Sequence, residues 1–250
     1  MHLITLLHVV AGSVALIVAP AALLVPKGKG WHRRWGIAFS WAMVFVLCSA
    51  AFMWQAKGHV FLVPLGLVSA YLIFSGWRSI ARRRRGYREG GANLALDLGA
   101  AVLTTACGLT LLAMAATAAS PLMHALVPVL VGLGMISLAF ALNDVLGFAS
   151  PRLKMGWLLS HLSGMIAAYI SAITAFIVIN AHGVPMTIRW AVPCTLGGAT
   201  IIWFALRTRA NALASAKRAS GEQPRASAGG AGPVTGRRPT QLKTPRQPTA

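Results

Sequence analysis

Histidines and aspartates that lie inside or beside apolar runs are the residues of this 250-residue chain best suited to chemistry. An imidazole can ligate a metal or exchange a proton, and a carboxylate in an apolar run needs a cationic partner. Two sets of residues meet this criterion. The first is a candidate polar pocket or ion-pair cluster, comprising His32, Arg33, Asp97, Asp144 and His161. The second is a set of candidate haem or metal ligands, comprising His8, His124 and His161.

The stretch around His161, residues 157–180, is 24 residues long and contains no Lys, Arg, Asp or Glu. As a helix it would measure about 36 Å, enough to cross a hydrocarbon core of about 30 Å. Gly164 and Ala168 follow His161 at helical spacing, and small residues on one stripe allow helices to approach closely in lipid. The spacing therefore predicts that His161 faces other helices. His8 precedes a similar stripe of small residues.

The composition indicates a membrane protein. Hydrophobic residues make up 56% of the chain and charged residues only 11%, whereas a soluble domain has about 25% charged residues. Seven apolar runs predict an all-α, polytopic membrane helix bundle, with helices at about 3–25, 36–56, 60–80, 94–118, 122–146, 157–180 and 190–206. Residues 207–250 form a basic tail without aromatic residues, and we expect it to be disordered because it cannot bury enough apolar surface.

The distribution of the basic residues predicts an orientation. The first, third and fifth connections together with the tail carry 21 of the 23 Lys and Arg residues, and the other side carries 2. Without the tail the ratio is still 12 to 2. Since positive residues favour the cytoplasmic side, we expect the N-terminus outside and the C-terminus inside a bacterial cytoplasmic membrane.

The net charge of +19 is therefore interpreted as a topology signal and not as a nucleic-acid interface. The basic residues lie in short connections between apolar runs, where they form no continuous face for a groove. The expected partner is the lipid bilayer. The tail could also contact anionic headgroups, at about 1 kcal/mol for each basic residue near the surface.

This orientation brings the candidate pocket residues to one level. Asp97, Asp144 and His161 lie within about 5 Å of the inner boundary, and His32 and Arg33 precede the second helix at the same side. Two interpretations are open. The carboxylates could belong to ion pairs that orient and pack the helices, or the five residues could line a cytoplasm-facing polar pocket.

Asp97 continues into a stripe of small residues and is expected to face protein, where a buried carboxylate needs a cation. The sequence favours Arg33 or Arg34 as that cation. Arg78 and Arg82 are the competing candidates.

Histidines at similar depth on separate helices also suggest haem. His8 with His124 or His59 on the outer side, and His32 with His161 on the inner side, could serve as axial ligands of b-type haems. Two features weigh against this hypothesis. No helix carries two histidines spaced to serve both leaflets, and His32 falls in a predicted loop.

Four segments carry a family resemblance: LHVVAGSVAL in helix one, KGWHRRWG at residues 29–36, the Asn143-Asp144 pair, and WLLSHLSGMIAAYISAITAF in helix six. Over about residues 3–180 the chain resembles a bacterial family of predicted multi-pass membrane proteins of unknown function. The resemblance implies an integral membrane protein with recurring His and Asp positions. It implies no activity.

Several functional classes lack their required residues. A retinal protein needs a lysine in helix seven, and residues 190–206 contain none. A di-iron bundle needs helical glutamates, which are missing from all seven predicted helices. The chain has no HExxH motif, no Walker loop and no CxxC, and its three cysteines lie apart in apolar runs. We therefore do not expect a hydrolase or an ATPase, and enzymatic activity is not the favoured interpretation.

Two hypotheses remain besides a structural role. The first is a transporter, permease-like or accessory module for a small molecule or lipid, because the middle of the predicted membrane region lacks ionisable side chains other than cysteine. GLVSAY at 66–71 also matches GMIAAY at 164–169 on helices of opposite direction, as in an inverted repeat. In a chain so rich in Ala and Gly, chance is sufficient to explain this match. The alternative is a membrane redox protein that binds b-type haem or a metal.

Overall fold

A computed structural model describes residues 2–26, 30–57, 62–85, 92–149 and 156–219 of the chain. These residues form seven helices and no strand, which confirms the all-α prediction. Each of the seven is long and apolar enough to cross a membrane. The helices are α1 His2–Leu24, α2 Gly30–Lys57, α3 Leu62–Arg85, α4 Ala92–Ala116, α5 Pro121–Ala149, α6 Gly156–Asn180 and α7 Met186–Ala219.

The start of α2 differs from the prediction. The helix begins at Gly30 and not at residue 36, so His32 and Arg33 lie in its first turn and not in a loop. Side chains one turn apart support this extension, since the rings of Trp31 and Trp35 stack with centroids 6.3 Å apart. The Gly and Lys residues that precede Trp31 are typical of a turn, but Gly30 already belongs to α2.

The end of α7 also differs. Residues 207–219, which the sequence predicts as part of the disordered tail, continue the helix to Ala219 because they are rich in Ala and Arg. The rest of the predicted tail, residues 220–250, lies outside the described residues. By its contacts the chain divides into a unit of residues 1–209, which contains the packed bundle, and a second unit of residues 210–250.

The first six helices pack as three close pairs: α1 with α2, α3 with α6, and α4 with α5. Glycines permit two of these approaches. A Cβ atom added to Gly164 of α6 would lie 2.8 Å from the carbonyl oxygen of Leu72 in α3. Between α4 and α5, Gly108 and Gly134 face each other, and a Cβ atom added to either would lie 3.0 Å from the carbonyl oxygen of the other. Packing between the pairs is thinner, and α7 packs against the bundle where Gly197 meets Ile170.

The packing pattern is nearly unchanged when α1, α2 and α3 are exchanged with α4, α5 and α6. The α1–α2 pair becomes α4–α5, the α3–α6 pair maps onto itself, and the α3–α4 contact becomes α1–α6. The α3–α5 contact would become α2–α6. Those two helices meet only through side chains, since the ring centroids of Phe39 in α2 and Tyr169 in α6 are 6.4 Å apart. The matching segments 66–71 and 164–169 lie on the packed α3–α6 pair.

We expect Gly164→Ala to lower the free energy of unfolding by about 1–3 kcal/mol, because the new methyl group overlaps the α3 backbone and the two helices must separate. Gly132→Ala is the matched control, since a Cβ there meets nothing within 4 Å and Ala favours the helix. Unfolding by an anionic detergent in mixed micelles, followed by circular dichroism, measures both. Equal stability of the two variants would contradict close α3–α6 packing.

Candidate functional site

The sequence proposed one pocket for five residues, and the structure divides them between two sites on opposite faces of α3. Tyr71, Ser75, Arg78 and Arg82 follow one another at spacings of four, three and four, so they share one face of the helix. That face meets α4 and α5, which carry Asp97 and Asp144. Gly76, Trp77 and Ile80 lie on the other side of α3, toward His32, Arg33 and His161.

Asp97 is the centre of the first site. It is 4% exposed, and the guanidinium of Arg78 donates to both carboxylate oxygens, from Nε to Oδ1 at 2.6 Å and from Nη2 to Oδ2 at 3.1 Å. Nη1 of Arg82 lies 3.2 Å from Oδ2. The favoured partners Arg33 and Arg34 are wrong, because they lie on α2, which does not pack against α4 among the described helices. The competing candidates, Arg78 and Arg82, are confirmed.

Asp144 closes the same cluster from α5. Its Oδ2 accepts hydrogen bonds from the hydroxyl of Tyr71 at 2.9 Å and from Ser75, and its Oδ1 lies 3.8 Å from Nη2 of Arg82. Two arginines and two aspartates make the cluster formally neutral. Oδ1 of Asp144 is buried and accepts no hydrogen bond from the described residues. The balanced charges and the hydrogen bonds that do form link α3 to α4 and α5. The geometry therefore favours the ion-pair interpretation for Asp97 and Asp144.

Sequence reasoning did not single out Tyr71 and Ser75. The available signal was their helical spacing from Arg78 and Arg82, which places all four on one face. Asn143, the neighbour of Asp144 in the predicted Asn-Asp pair, makes a separate contact. Its amide donates a hydrogen bond to the hydroxyl of Ser160 at 3.2 Å, which joins α5 to α6.

The second site is a cavity of about 350 Å³ between α1, α2, α3 and α6. It lies at the end of the bundle where α1 and α3 end and where α2 and α6 begin. Its wall on α6 runs from Trp157 to Tyr169, about 18 Å along the helix axis. Polar or charged groups at this end are His32, Arg33 and His161, and the remaining wall is mostly aliphatic and aromatic.

The two histidines of the cavity are both held by backbone carbonyls. Nδ1 of His32 is 2.9 Å from the carbonyl oxygen of Ala22, and Nδ1 of His161 is 3.0 Å from that of Gly76. The ring centroids are 6.5 Å apart and the ring planes meet at 81°. A carbonyl can only accept a hydrogen bond, so each Nδ1 carries a proton, and the neutral form of each ring has its lone pair on Nε2.

The other candidate ligands are not brought together. Nδ1 of His8 is 2.8 Å from Oγ of Ser49, whereas Nδ1 of His124 is 3.1 Å from the carbonyl oxygen of Ser120 in its own helix turn. Since α1 and α5 do not pack together among the described helices, the predicted pairing of His8 with His124 is wrong. His59 lies outside the described residues.

Metal-ligand sets and thiols add no further site. Within the described ranges, no three or more His, Cys, Asp or Glu side chains are grouped to hold a metal ion. The three cysteines are free thiols. The cavity histidines and the buried cluster are thus the two arrangements that need a functional or structural explanation.

No protein-family model matches the chain, and neither a curated protein nor a solved structure does. The resemblance to a family of multi-pass membrane proteins therefore depends on the motifs alone.

Replacing Arg78 or Arg34 by methionine shows which of the two arginines is the partner of Asp97. We expect Arg78→Met to lower the free energy of unfolding by about 3 kcal/mol, because it leaves a buried carboxylate short of its bidentate partner. Arg34→Met is the matched control and should change stability by less than about 0.5 kcal/mol, since its exposed guanidinium lies 5.3 Å from the Trp31 ring centroid. Detergent unfolding measures both variants, and the reverse order would restore the sequence-based partner.

Proposed function

We propose that this chain is an integral membrane protein that binds an amphipathic small molecule in the cavity between α1, α2, α3 and α6. The observation that carries the proposal is the polarity of the cavity, whose polar groups lie at one end of an otherwise apolar space. Its volume of about 350 Å³ lies within the range of small-molecule sites. A pocket of this kind selects a molecule with a polar head and an apolar body.

The chemistry of the head follows from the residues at the polar end. Arg33 supplies a permanent positive charge, which attracts an anionic group. The Nε2 lone pairs of His32 and His161 can accept hydrogen bonds or ligate a metal. The body of the ligand would lie along Met165 and Tyr169 of α6, where the wall is apolar or aromatic. We therefore infer a ligand with an acidic head.

The orientation inferred from the basic residues is part of the proposal. With the N-terminus outside a bacterial cytoplasmic membrane, the polar end of the cavity faces the cytoplasm. The same rule predicts that the basic tail is cytoplasmic, where it would contact anionic headgroups. A ligand would then enter from the cytoplasm or from the inner leaflet.

Reporter fusions test this orientation. A fluorescent protein fused after Ala250 should fluoresce, because such proteins mature in the cytoplasm, and a phosphatase that requires an oxidising compartment should be inactive at the same position. A non-fluorescent fusion together with an active phosphatase would contradict the proposed orientation. The measurement is independent of any ligand.

Transport is the favoured use of such a site. The exchange of α1–α3 with α4–α6 reproduces most of the helix packing. If successive helices cross the membrane alternately, helices three positions apart would run in opposite directions. Inverted repeats of this kind are typical of carriers that bind their substrate at the repeat interface. The α3–α6 pair is that interface here, and it forms one side of the cavity. An accessory protein that only holds the ligand would use the same site.

Filling the cavity tests ligand binding. Gly36 lines the cavity, and a Cβ there meets nothing within 4 Å, so Gly36→Leu should occupy ligand space without disturbing the helices. We expect it to weaken binding of a brominated fatty acid about tenfold or more, since the overlap is worth about 1–3 kcal/mol. The measurement is quenching of Trp77 and Trp157 fluorescence, isolated by comparison with the Trp77→Phe/Trp157→Phe double variant.

Gly99→Leu is the matched control, because Gly99 is exposed on α4 and also has open space around its Cβ. It should bind the probe as the unaltered protein does. A brominated alcohol of the same chain length tests the head group and should bind more weakly than the acid. Unsaturable quenching, or equal quenching in both leucine variants, would refute a ligand site in the cavity.

A further inference from the structure

The geometry points to haem b as the ligand of this cavity, with His32 and His161 as its two axial ligands. The inference deepens the proposed binding function and rests on it. Haem is itself amphipathic, since an apolar ring carries two propionate groups on one edge.

The first step is the electronic state of the two imidazoles. Each Nδ1 donates to a backbone carbonyl, so each Nε2 presents a lone pair. Neither Nε2 has a hydrogen-bond partner among the described residues. Metal-bound histidines characteristically donate their other ring nitrogen to a carbonyl or carboxylate, which fixes the ring and raises its basicity. His32 and His161 are both prepared in this way, from two different helices.

The second step is the separation of the rings. Two metal–nitrogen bonds of about 2 Å, extended by the distance from each nitrogen to its ring centre, separate trans-axial imidazole centroids by about 6 Å. The observed separation is 6.5 Å. The rings are thus spaced as they would be on opposite sides of one iron atom. In their neutral forms the two rings cannot hydrogen-bond directly to each other, because both Nε2 atoms are then acceptors.

The third step is the number of ligands. A bare zinc or iron ion needs three or four protein ligands, and the described residues contain no group of three His, Cys, Asp or Glu that could hold one. A porphyrin supplies four nitrogen ligands to the iron, so the protein needs to provide only the two axial ligands. Two imidazoles without a third ligand therefore suit a haem better than a free ion.

The surroundings agree with this assignment. Phe39, Trp77 and Tyr169 line the cavity and can pack against a porphyrin face. Arg33 lies beside His32 at the polar end, where it can pair with a propionate. The cavity lies between the α1–α2 pair and the α3–α6 pair, which pack less closely against each other than the helices within each pair do.

The position of His32 removes the main objection to haem. In a loop its ring would have no fixed direction, whereas in the first turn of α2 it is tied to Ala22 of α1. The inferred site is therefore the inner pair alone. The outer pair, His8 with His124, does not form.

The experiment is a haem titration of the purified full chain, with visible spectra before and after reduction by dithionite. We expect a six-coordinate low-spin spectrum with sharp α and β bands. His32→Ala and His161→Ala should each convert it to a five-coordinate high-spin spectrum and weaken haem binding about tenfold or more. His8→Ala and His124→Ala are the matched controls, and both should keep the low-spin spectrum.

A chemical rescue experiment distinguishes the loss of an axial ligand from misfolding of the variant. His161→Gly should lose the low-spin spectrum and regain it when free imidazole is added, because imidazole can occupy the vacated space. Failure of the unaltered protein to bind haem would overturn the inference, and so would low-spin spectra in both cavity variants. If the brominated acid still binds in those cases, the proposed function stands and only the haem assignment falls. If neither binds, both fall.

Discussion

The bidentate pairing of Arg78 with Asp97 is the interaction on which the arrangement of the bundle depends. Two carboxylates this deeply buried would be strongly destabilising without cations, so α3 must present Arg78 and Arg82 to α4 and α5. That requirement sets the rotation of α3 about its axis. The opposite face then points to α6, and the carbonyl of Gly76 is directed at His161. The charged cluster and the cavity are thus coupled through one helix, although they share no side chain.

Glycine and other small residues determine how closely the helices of each pair approach. The absence of a side chain at Gly164 lets α6 meet the backbone of α3, and without that approach His161 could not reach the carbonyl of Gly76. Packing between these two pairs is looser, and no glycine among the described residues brings the backbone of α1–α2 against that of α3–α6. The cavity lies along this loosely packed boundary. Tight packing within pairs and loose packing between them is therefore what leaves room for a ligand.

Much of the fold was predictable, because the length and the apolar composition of a segment indicate whether it can span a membrane. The stripe of His161, Gly164 and Ala168 also predicted correctly that this face of α6 meets protein. The partner of Asp97 was not predictable, since the sequence shows which helices exist but not which are neighbours. His32 was misplaced because Gly and Lys residues before it resemble a turn, and the aromatic pair that extends α2 acts only within a formed helix. Whether two histidines meet depends on helix neighbours in the same way.

The arginines of α3 have a consequence for how the chain enters the membrane. The positive-inside rule predicts that Arg78 and Arg82 favour the cytoplasmic side, because a guanidinium group is costly to translocate. In the folded bundle the same two side chains lie beside the buried Asp97. Orientation would depend on their positive charge, whereas packing depends on the hydrogen bonds that their N–H groups donate.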